Sequence, residues 1–256
     1  MDSIFSLMSA LKGQQRQMDA VANNLANVNT PGYKKDTVLF KEVFNEYSMQ
    51  DLESEQESFS HEQFISPLTR SHSSFVAPDH VAARMSNGKM TPTQNPFDLS
   101  LQKSGFFTVE GEHGTAYTRN GRFMQDAQGY LITNGGEKVL GENGPIKIDG
   151  KSFAVGRDGS VMVDNQKVDR LKIANFEQPD RLTKLGNSLW VPGSDAQVPI
   201  PQSDVVIHQG IYEGSNVETV EEMVEMITLN RHYEAAQKAL KSNDELSGQV
   251  INIARV

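Results

Sequence analysis

Both ends of this chain carry an apolar residue at every third or fourth position, and a pattern of that kind folds as a helix with a seam. In residues 1–30, Ile4, Leu7, Leu11, Gln14, Met18, Val21, Leu25 and Val28 keep the period, with Gln14 the only polar member. Spacings that alternate three and four place one narrow stripe along a helix, and such a stripe meets another helix. Asp2 and Ser3 supply N-cap side chains, and Asn29-Thr30-Pro31-Gly32 stops the run because Pro31 disfavours a helical Thr30. At ~1.5 Å per residue this helix is roughly 40 Å long. The C-terminus mirrors it, with Met226, Leu229, Tyr233, Ala236, Leu240, Asn243, Ser247 and Val250 on a second, weaker seam. Ser215-Asn216-Val217-Glu218 reads as a capping box before that helix, and Glu218, Glu221, Glu222 and Glu225 suit its positive N-terminal end. Two arrangements satisfy the seams: an antiparallel hairpin laid on the middle of the chain, or a projecting pair that packs against other subunits.

The middle is different in texture. From about Phe75 to Tyr212 short alternating runs are punctuated by glycine, with Asn120-Gly121 and Asp158-Gly159 as hairpin-turn dipeptides. Phe97, Leu99 and Leu101 alternate, as do Ile146 with Ile148, Phe153 with Val155, Val161 with Val163, and Leu171 with Ile173. No βαβ rhythm interrupts them. Asp36 to Tyr47 places Leu39, Phe40, Val43, Phe44 and Tyr47 at short-helix spacing, and 48–64 is an acidic, Ser/Gln-rich loop sequence. The fold expected is mixed α and β: two long terminal helices pairing as a coiled-coil-like unit, plus a mostly antiparallel β central domain. Its parts are a discontinuous terminal-helix assembly domain (1–33 and 214–256), a connecting segment with the short helix and acidic loop (34–75), and the β-domain (76–213).

Chemistry is harder to find. A net charge of −9, from 24 Lys+Arg against 33 Asp+Glu, argues against nucleic acid as a partner. The absence of cysteine removes thiol nucleophiles and Cys-ligated metals. No apolar run is long enough to span a bilayer. The opening MDSIFSLMSALKGQQRQ lacks the basic start and apolar core of a Sec signal, so no cleaved signal is expected. His61, His72, His80, His113, His208 and His232 are scattered without ligand spacing. No GxGxxG, GKS/GKT or GxSxG is present, and the two S-x-x-K matches at Ser9 and Ser100 lack their partner motifs. Glu110, Asp126 and Asp158 are the carboxylates available to a hydrolase, yet Asp126 and Asp158 sit in turn sequences where Asp is expected. The sequence thus assigns no catalytic residue, no cofactor and no metal.

Three motifs carry a resemblance. Ala22-Asn23-Asn24-Leu25-Ala26-Asn27-Val28-Asn29-Thr30-Pro31-Gly32-Tyr33-Lys34 resembles the N-terminal signature of bacterial flagellar basal-body rod and hook proteins. Glu213-Gly214-Ser215-Asn216-Val217-Glu218, with Glu221-Glu222-Met223 and Arg231-His232-Tyr233-Glu234, resembles the family's C-terminal helix. Asp98-Leu99-Ser100-Leu101, Gly105-Phe106-Phe107, Tyr117-Thr118-Arg119-Asn120-Gly121 and Asp126-Ala127-Gln128-Gly129 match its β-region. Within the family, Gly141 to Ile148 is similar to proximal-rod members, with distal-rod members as the alternative. The resemblance implies a structural axial protein of the periplasmic rod, exported through the flagellar type III apparatus. Its implied partners are copies of itself and neighbouring rod proteins. The seam residues Ile4, Leu7, Leu11, Met18, Val21, Leu25, Val28, Met226, Leu229, Tyr233, Ala236, Leu240 and Val250 then form the assembly surface. Asn23, Asn24, Asn27, Pro31, Gly32, Gly214, Ser215 and Asn216 are the signature positions. For the three N-terminal asparagines two readings stand, hydrogen bonding between subunits or a solvated helix face.

Overall fold

The computed structural model describes residues 2–45, 73–111, 114–193, 199–201 and 205–253; the acidic loop 48–64 lies outside them. The chain forms two compact units, one of Met1–Ala20, Val38–Val81 and Val224–Val256, the other of Val21–Thr37 and Ala82–Met223. Helix α1 spans Asp2–Ala26. It stops short of the expected Val28 because the amides beyond Asn27 bond three residues back instead of four, Val28 to the Leu25 carbonyl and Thr30 to that of Asn27, while the Asn27 side-chain amide donates to the Asn23 carbonyl at 2.9 Å. Gly32 closes the exit with φ +67, and a Cβ there would collide with the Asn120 backbone. In the first unit, Gly13 interrupts a helix where alanine would be favoured by about 1 kcal/mol. Its bare backbone makes room for Phe40, whose ring would lie 3.0 Å from an added Cβ.

Strand β1, Asp36–Asn45, pairs with β2, Ser73–Ala83. The short helix expected from Asp36 to Tyr47 is therefore a strand over its described part. The apolar spacing fits either period over so short a run. Thr37, Val38 and Val43, β-branched, with Phe40 and Phe44, tip the choice toward an extended chain.

In the second unit the strands are β3 Met90–Pro92, β4 Leu99–Leu101, β5 Phe106–Gly111, β6 Gly114–Thr118, β7 Phe123–Gln125, β8 Leu131–Thr133, β9 Lys138–Gly141 and β10 Gly144–Pro145. They continue as β11 Phe153–Val155, β12 Ser160–Val163, β13 Gln166–Arg170, β14 Ile173–Asn175, β15 Thr183–Gly186, β16 Leu189–Val191, β17 Ile200–Pro201, β18 Ile207–Gln209 and β19 Ile211–Glu213. One sheet runs β15-β16-β6-β5-β9-β8-β7, with β14 added beside β5. The described pairings are antiparallel, as short hairpin connections require. Two hairpins, β12–β13 and β15–β16, turn without glycine at their centres: Asp164-Asn165 and Asn187-Ser188 adopt left-handed φ of 49, 65, 50 and 60°.

Strand β5 explains the two cores. Phe107 and Val109 point to one face and join Leu99, Leu131, Val139, Ile146, Ile148, Val161, Val163, Leu171, Ile173 and Ile207. Phe106 points to the other and packs with Tyr117, Ala174, Phe176, Leu182 and Trp190. Each fully buried aliphatic or phenyl group stabilises the fold by roughly 1.5–3 kcal/mol. The run Phe97 to Leu101 departs from the expected alternation, since Asp98 and Ser100 are buried as well as Leu99 and Leu101. Pairing with β18 and a bridge from Asp98 to Arg122 cover its polar face. Asn120-Gly121 is likewise no hairpin turn; Gly121 backs directly onto the Leu99 carbonyl, to which no Cβ could be fitted.

Helix α2 spans Thr219–Ile253 without a break at Gly248. The capping box expected at Ser215 is displaced: Ser215 Oγ accepts from the Val217 amide at 3.2 Å, closing a turn ahead of the helix.

We expect Gly121→Ala to cost about 3 kcal/mol through backbone overpacking. Gly111→Ala meets only ordinary van der Waals neighbours and should stay within about 0.5 kcal/mol of wild type. Urea unfolding of the intact chain separates the two.

Candidate functional site

The signature motifs from the two chain ends meet in one place. Past Gly32, residues 33–36 run beside the stretch that leaves β19, and the Gly32 amide donates to the Glu213 carbonyl at 2.8 Å. Lys34 and Glu213 are fully buried and form an ion pair of 2.7 Å. Lys34 Nζ also donates to the Ser86 carbonyl at 2.8 Å, and the Gly88 amide donates to Glu213 Oε1 at 2.9 Å. Arg119 brings a second cation, its Nε 3.7 Å from Glu213 Oε2. It is fixed by bonds to the Lys103 carbonyl and to Asn87 Oδ1. Burial pulls the Lys34 ammonium below its ordinary range, and the Glu213 carboxylate opposes that pull.

A second layer lies one residue on. Lys35 pairs with the buried Glu222 at 2.5 Å, and its amide donates to Asn216 Oδ1 at 2.7 Å. Asn216 Nδ2 reaches the Arg84 carbonyl at 2.7 Å. Asn24 is buried and fully used: it donates to the Asp36 carbonyl and to Glu222 Oε2, and accepts from the Asp36 amide and the Tyr33 hydroxyl. Lys184 closes the outer side, donating to Asp36 Oδ1 at 2.6 Å with its ammonium 4.2 Å from the Tyr33 ring centre. Together these contacts form a clasp between residues 23–36 and 213–222.

The signature residues lie in or beside the clasp. Asn24 is buried, and both polar atoms of its amide are bonded inside the chain. Asn27 caps the end of α1, and Asn23 donates to Asp36 Oδ2 at 3.3 Å while its own carbonyl holds Asn27. Pro31 and Gly32 make the turn. Gly214 donates to the Lys89 carbonyl at 2.9 Å, and Ser215 and Asn216 hold the approach to α2. The charged members, Lys34, Lys35, Asp36, Glu213, Glu222, Arg119 and Lys184, were not singled out from sequence as a site. The available signal was charge of opposite sign beside the two motifs, Lys34-Lys35 at one and Glu213 with Glu221-Glu222 at the other.

Among the seam residues, Val21 and Leu229 are buried, while Leu11, Met18, Leu25, Val28, Met226, Tyr233, Ala236 and Leu240 are half-buried. The side chains of Ile4, Leu7 and Val250 lie outside the described residues. Of the three candidate carboxylates, Glu110 is exposed on β5 and the other two are occupied by turns: Asp126 Oδ1 accepts from the Gln128 and Tyr130 amides, and Asp158 Oδ1 from the Ser160 amide and hydroxyl. Those bonds from Ser160 hold the Asp158 carboxyl below the usual range. A cleft of about 660 Å³ beside the clasp is walled by Asn29, Asn120, Asn134 and Asn187 and has no carboxylate in its lining. Among the described residues no cluster of His, Asp and Glu could hold a metal, and no helix is long and apolar enough to cross a membrane.

The clasp joins the two terminal motifs whose sequences resemble flagellar rod proteins, and the comparisons agree. The family model "Flagella basal body rod protein" matches residues 5–34, "Flagellar hook protein FlgE/F/G D1 domain" matches 101–163, and "Flagellar basal body rod FlgEFG protein C-terminal" matches 208–253. The chain is 32% identical to the flagellar basal-body rod protein FlgF of Caulobacter vibrioides, over 93% of this chain and 91% of that protein. It is 29% identical to FlgF of Mesorhizobium japonicum, over 98 and 96%. It is 30% identical to the rod protein FlgG of Bacillus subtilis, over 99% of both. The chain belongs to the flagellar basal-body rod protein family, whose members are structural subunits of the basal-body rod.

Glu213→Gln keeps the shape of the clasp but leaves Lys34 buried without its counter-charge, and should cost about 3–5 kcal/mol in urea unfolding. A pH effect follows from Tyr33. Its phenol is pushed well above the ordinary value, first by burial and then by the charge and hydrogen bond of Asp36 and the charge of Glu222. The native state therefore holds this proton where the unfolded chain has lost it. That contribution is full below about pH 10 and is lost as pH rises toward the folded value. Tyr33→Phe should flatten the decline in stability above pH 10, measured by urea unfolding at stepped pH.

Proposed function

We propose that this chain is a subunit of the proximal flagellar rod, polymerising with itself and with neighbouring rod proteins into the shaft that passes on motor torque. The observation that carries this reading is the clasp. It ties the end of one seam-bearing helix to the start of the other, and Asn23, Asn24, Lys34, Glu213, Asn216 and Glu222 among its residues fall inside the two terminal rod matches. Asn24 to Glu222, at 3.2 Å, ties the end of α1 to the start of α2. From that tie the helices pair as a coiled-coil-like unit, their half-buried seams completed by other subunits. The chain reaches its place through the flagellar export apparatus and acts as a scaffold rather than an enzyme, its turn carboxylates being committed to backbone amides. The FlgF relatives favour the proximal position. Full-length similarity to FlgG of Bacillus subtilis supports a second reading as a distal-rod subunit.

The test is isolation of basal bodies from cells carrying Leu25→Asp or Asp51→Asn. A charge on the α1 seam should abolish incorporation and motility. The change at Asp51 should leave both intact. Basal bodies that lack the wild-type chain, or normal swimming of the Leu25→Asp strain, would reject the reading.

A further inference from the structure

An asparagine followed by glycine can react with its own backbone, because glycine carries no side chain to hinder its amide nitrogen. That nitrogen attacks Cγ of the asparagine, and the side-chain amide leaves as ammonia. The cyclic imide that remains takes up water and opens to aspartate or to isoaspartate. Four such dipeptides occur in the chain, at Asn87, Asn120, Asn134 and Asn143.

Three of them are held. Asn87 Oδ1 accepts from Arg119 at 3.0 Å, and the Gly88 amide is bonded to Glu213 Oε1 at 2.9 Å. Asn120 Oδ1 accepts from the Arg122 amide at 3.0 Å, and Gly121 lies against the Leu99 carbonyl. Asn143 Nδ2 donates to Asp169 Oδ1 at 2.9 Å, and its amide donates to Oδ2 at 3.2 Å. Turning any of these side chains onto the next nitrogen breaks a bond that folding supplies.

Asn134 is different. It is exposed in the turn between β8 and β9, and its side chain has no hydrogen-bond partner among the described residues. The attacking group, the Gly135 amide, donates to Thr133 Oγ1 at 3.2 Å, and that hydroxyl donates to Glu137 Oε2. The Glu137 carboxylate rests against Gly135, where an added Cβ would lie 2.6 Å from both its oxygens. Amide, hydroxyl and carboxylate thus form a chain that can take the proton which attack must release. The charged side chains that β5 and β9 carry beside Glu137 are Glu110 and Lys138. These two are register partners, and the Lys138 ammonium stands 4.5 Å from the Tyr130 ring centre.

We propose that Asn134 is a self-modification site, converted to aspartate and isoaspartate in the folded chain with Glu137 as proton acceptor through Thr133. The bond from Gly135 N to Asn134 Cγ forms as the bond from Cγ to Nδ2 breaks. The proton taken from Gly135 is returned to the departing ammonia, and water then opens the imide. The product puts a carboxylate into the wall of the cleft beside the clasp, whose lining holds Lys34 and Lys184 and no acidic group. This inference does not depend on the rod reading.

The test follows deamidation of each site in the purified full chain by peptide mass spectrometry over days near neutral pH. In the folded chain Asn134 should convert roughly tenfold or more faster than Asn87, Asn120 and Asn143, and in urea the four rates should converge. Glu137→Gln, with its fold checked by melting temperature, should slow Asn134 in the folded chain and leave its rate in urea unchanged. Its rate should also rise in proportion to hydroxide, whereas the wild-type rate should change little with pH around neutrality. Equal conversion of the four sites in the folded chain overturns the inference, and so does an Asn134 that leads equally in urea. A Glu137→Gln chain with the wild-type rate and pH profile overturns it as well.

Discussion

The ion pair between Lys34 and Glu213 is the contact on which the rest of the arrangement depends. Removing two charges from water costs several kcal/mol per ion, and the pair is tolerated only because further groups complete it. Ser86 takes a second proton of Lys34, the Gly88 amide supports one carboxylate oxygen, and Arg119 stands near the other. Each of those groups is in turn positioned by the β-domain. The pair is thus weak as a source of net stability and strong as a selector: any register that separates Lys34 from Glu213 strands a charge in a dry interior.

The β-domain supplies the rigid frame for this selection. Its central strand β5 sends Phe106 and Phe107 to opposite faces, so the sheet is anchored by apolar packing on both sides. Trp190, Phe106 and Tyr117 lie on the same face, and the Lys184 ammonium stands 5.3 Å from the Trp190 ring centre while it bonds Asp36. Arg119 likewise lies 5.8 Å from the Phe106 ring centre. Two cations of the clasp therefore rest on aromatic rings of the sheet core. Packing in the sheet and placement of charge in the clasp are one structure, not two.

What the sequence disclosed follows from interaction range. Helix α1 was legible because its period repeats over seven turns of purely local geometry. The pairs Ile146 with Ile148, Val161 with Val163 and Leu171 with Ile173 were legible because strand neighbours alternate by two, and all six are core residues. The stretch from Asp36 was misread as helix because a short apolar run fits both periods, and only pairing with β2 settles it. Asp98 and Ser100 defied alternation because a strand covered on both sides has no solvent face. The turns at Asp164-Asn165 and Asn187-Ser188 were missed for lack of a glycine. Least legible was the clasp, whose partners stand 179 residues apart at Lys34 and Glu213 and 198 apart at Asn24 and Glu222. The motifs that hold those residues were visible; their mutual contact was not.

The same separation has a kinetic side. A contact between residues 179 apart carries a larger loop-closure cost than a local one, and domains dominated by such contacts fold slowly. Residues 23–36 emerge early in synthesis and then wait for 213–222, so the native clasp cannot form until almost the last helix is made. Until then Asn24, Lys34 and Lys35 lack the partners that Glu213, Asn216 and Glu222 supply. A subunit built in this way locks only once both of its ends have been made.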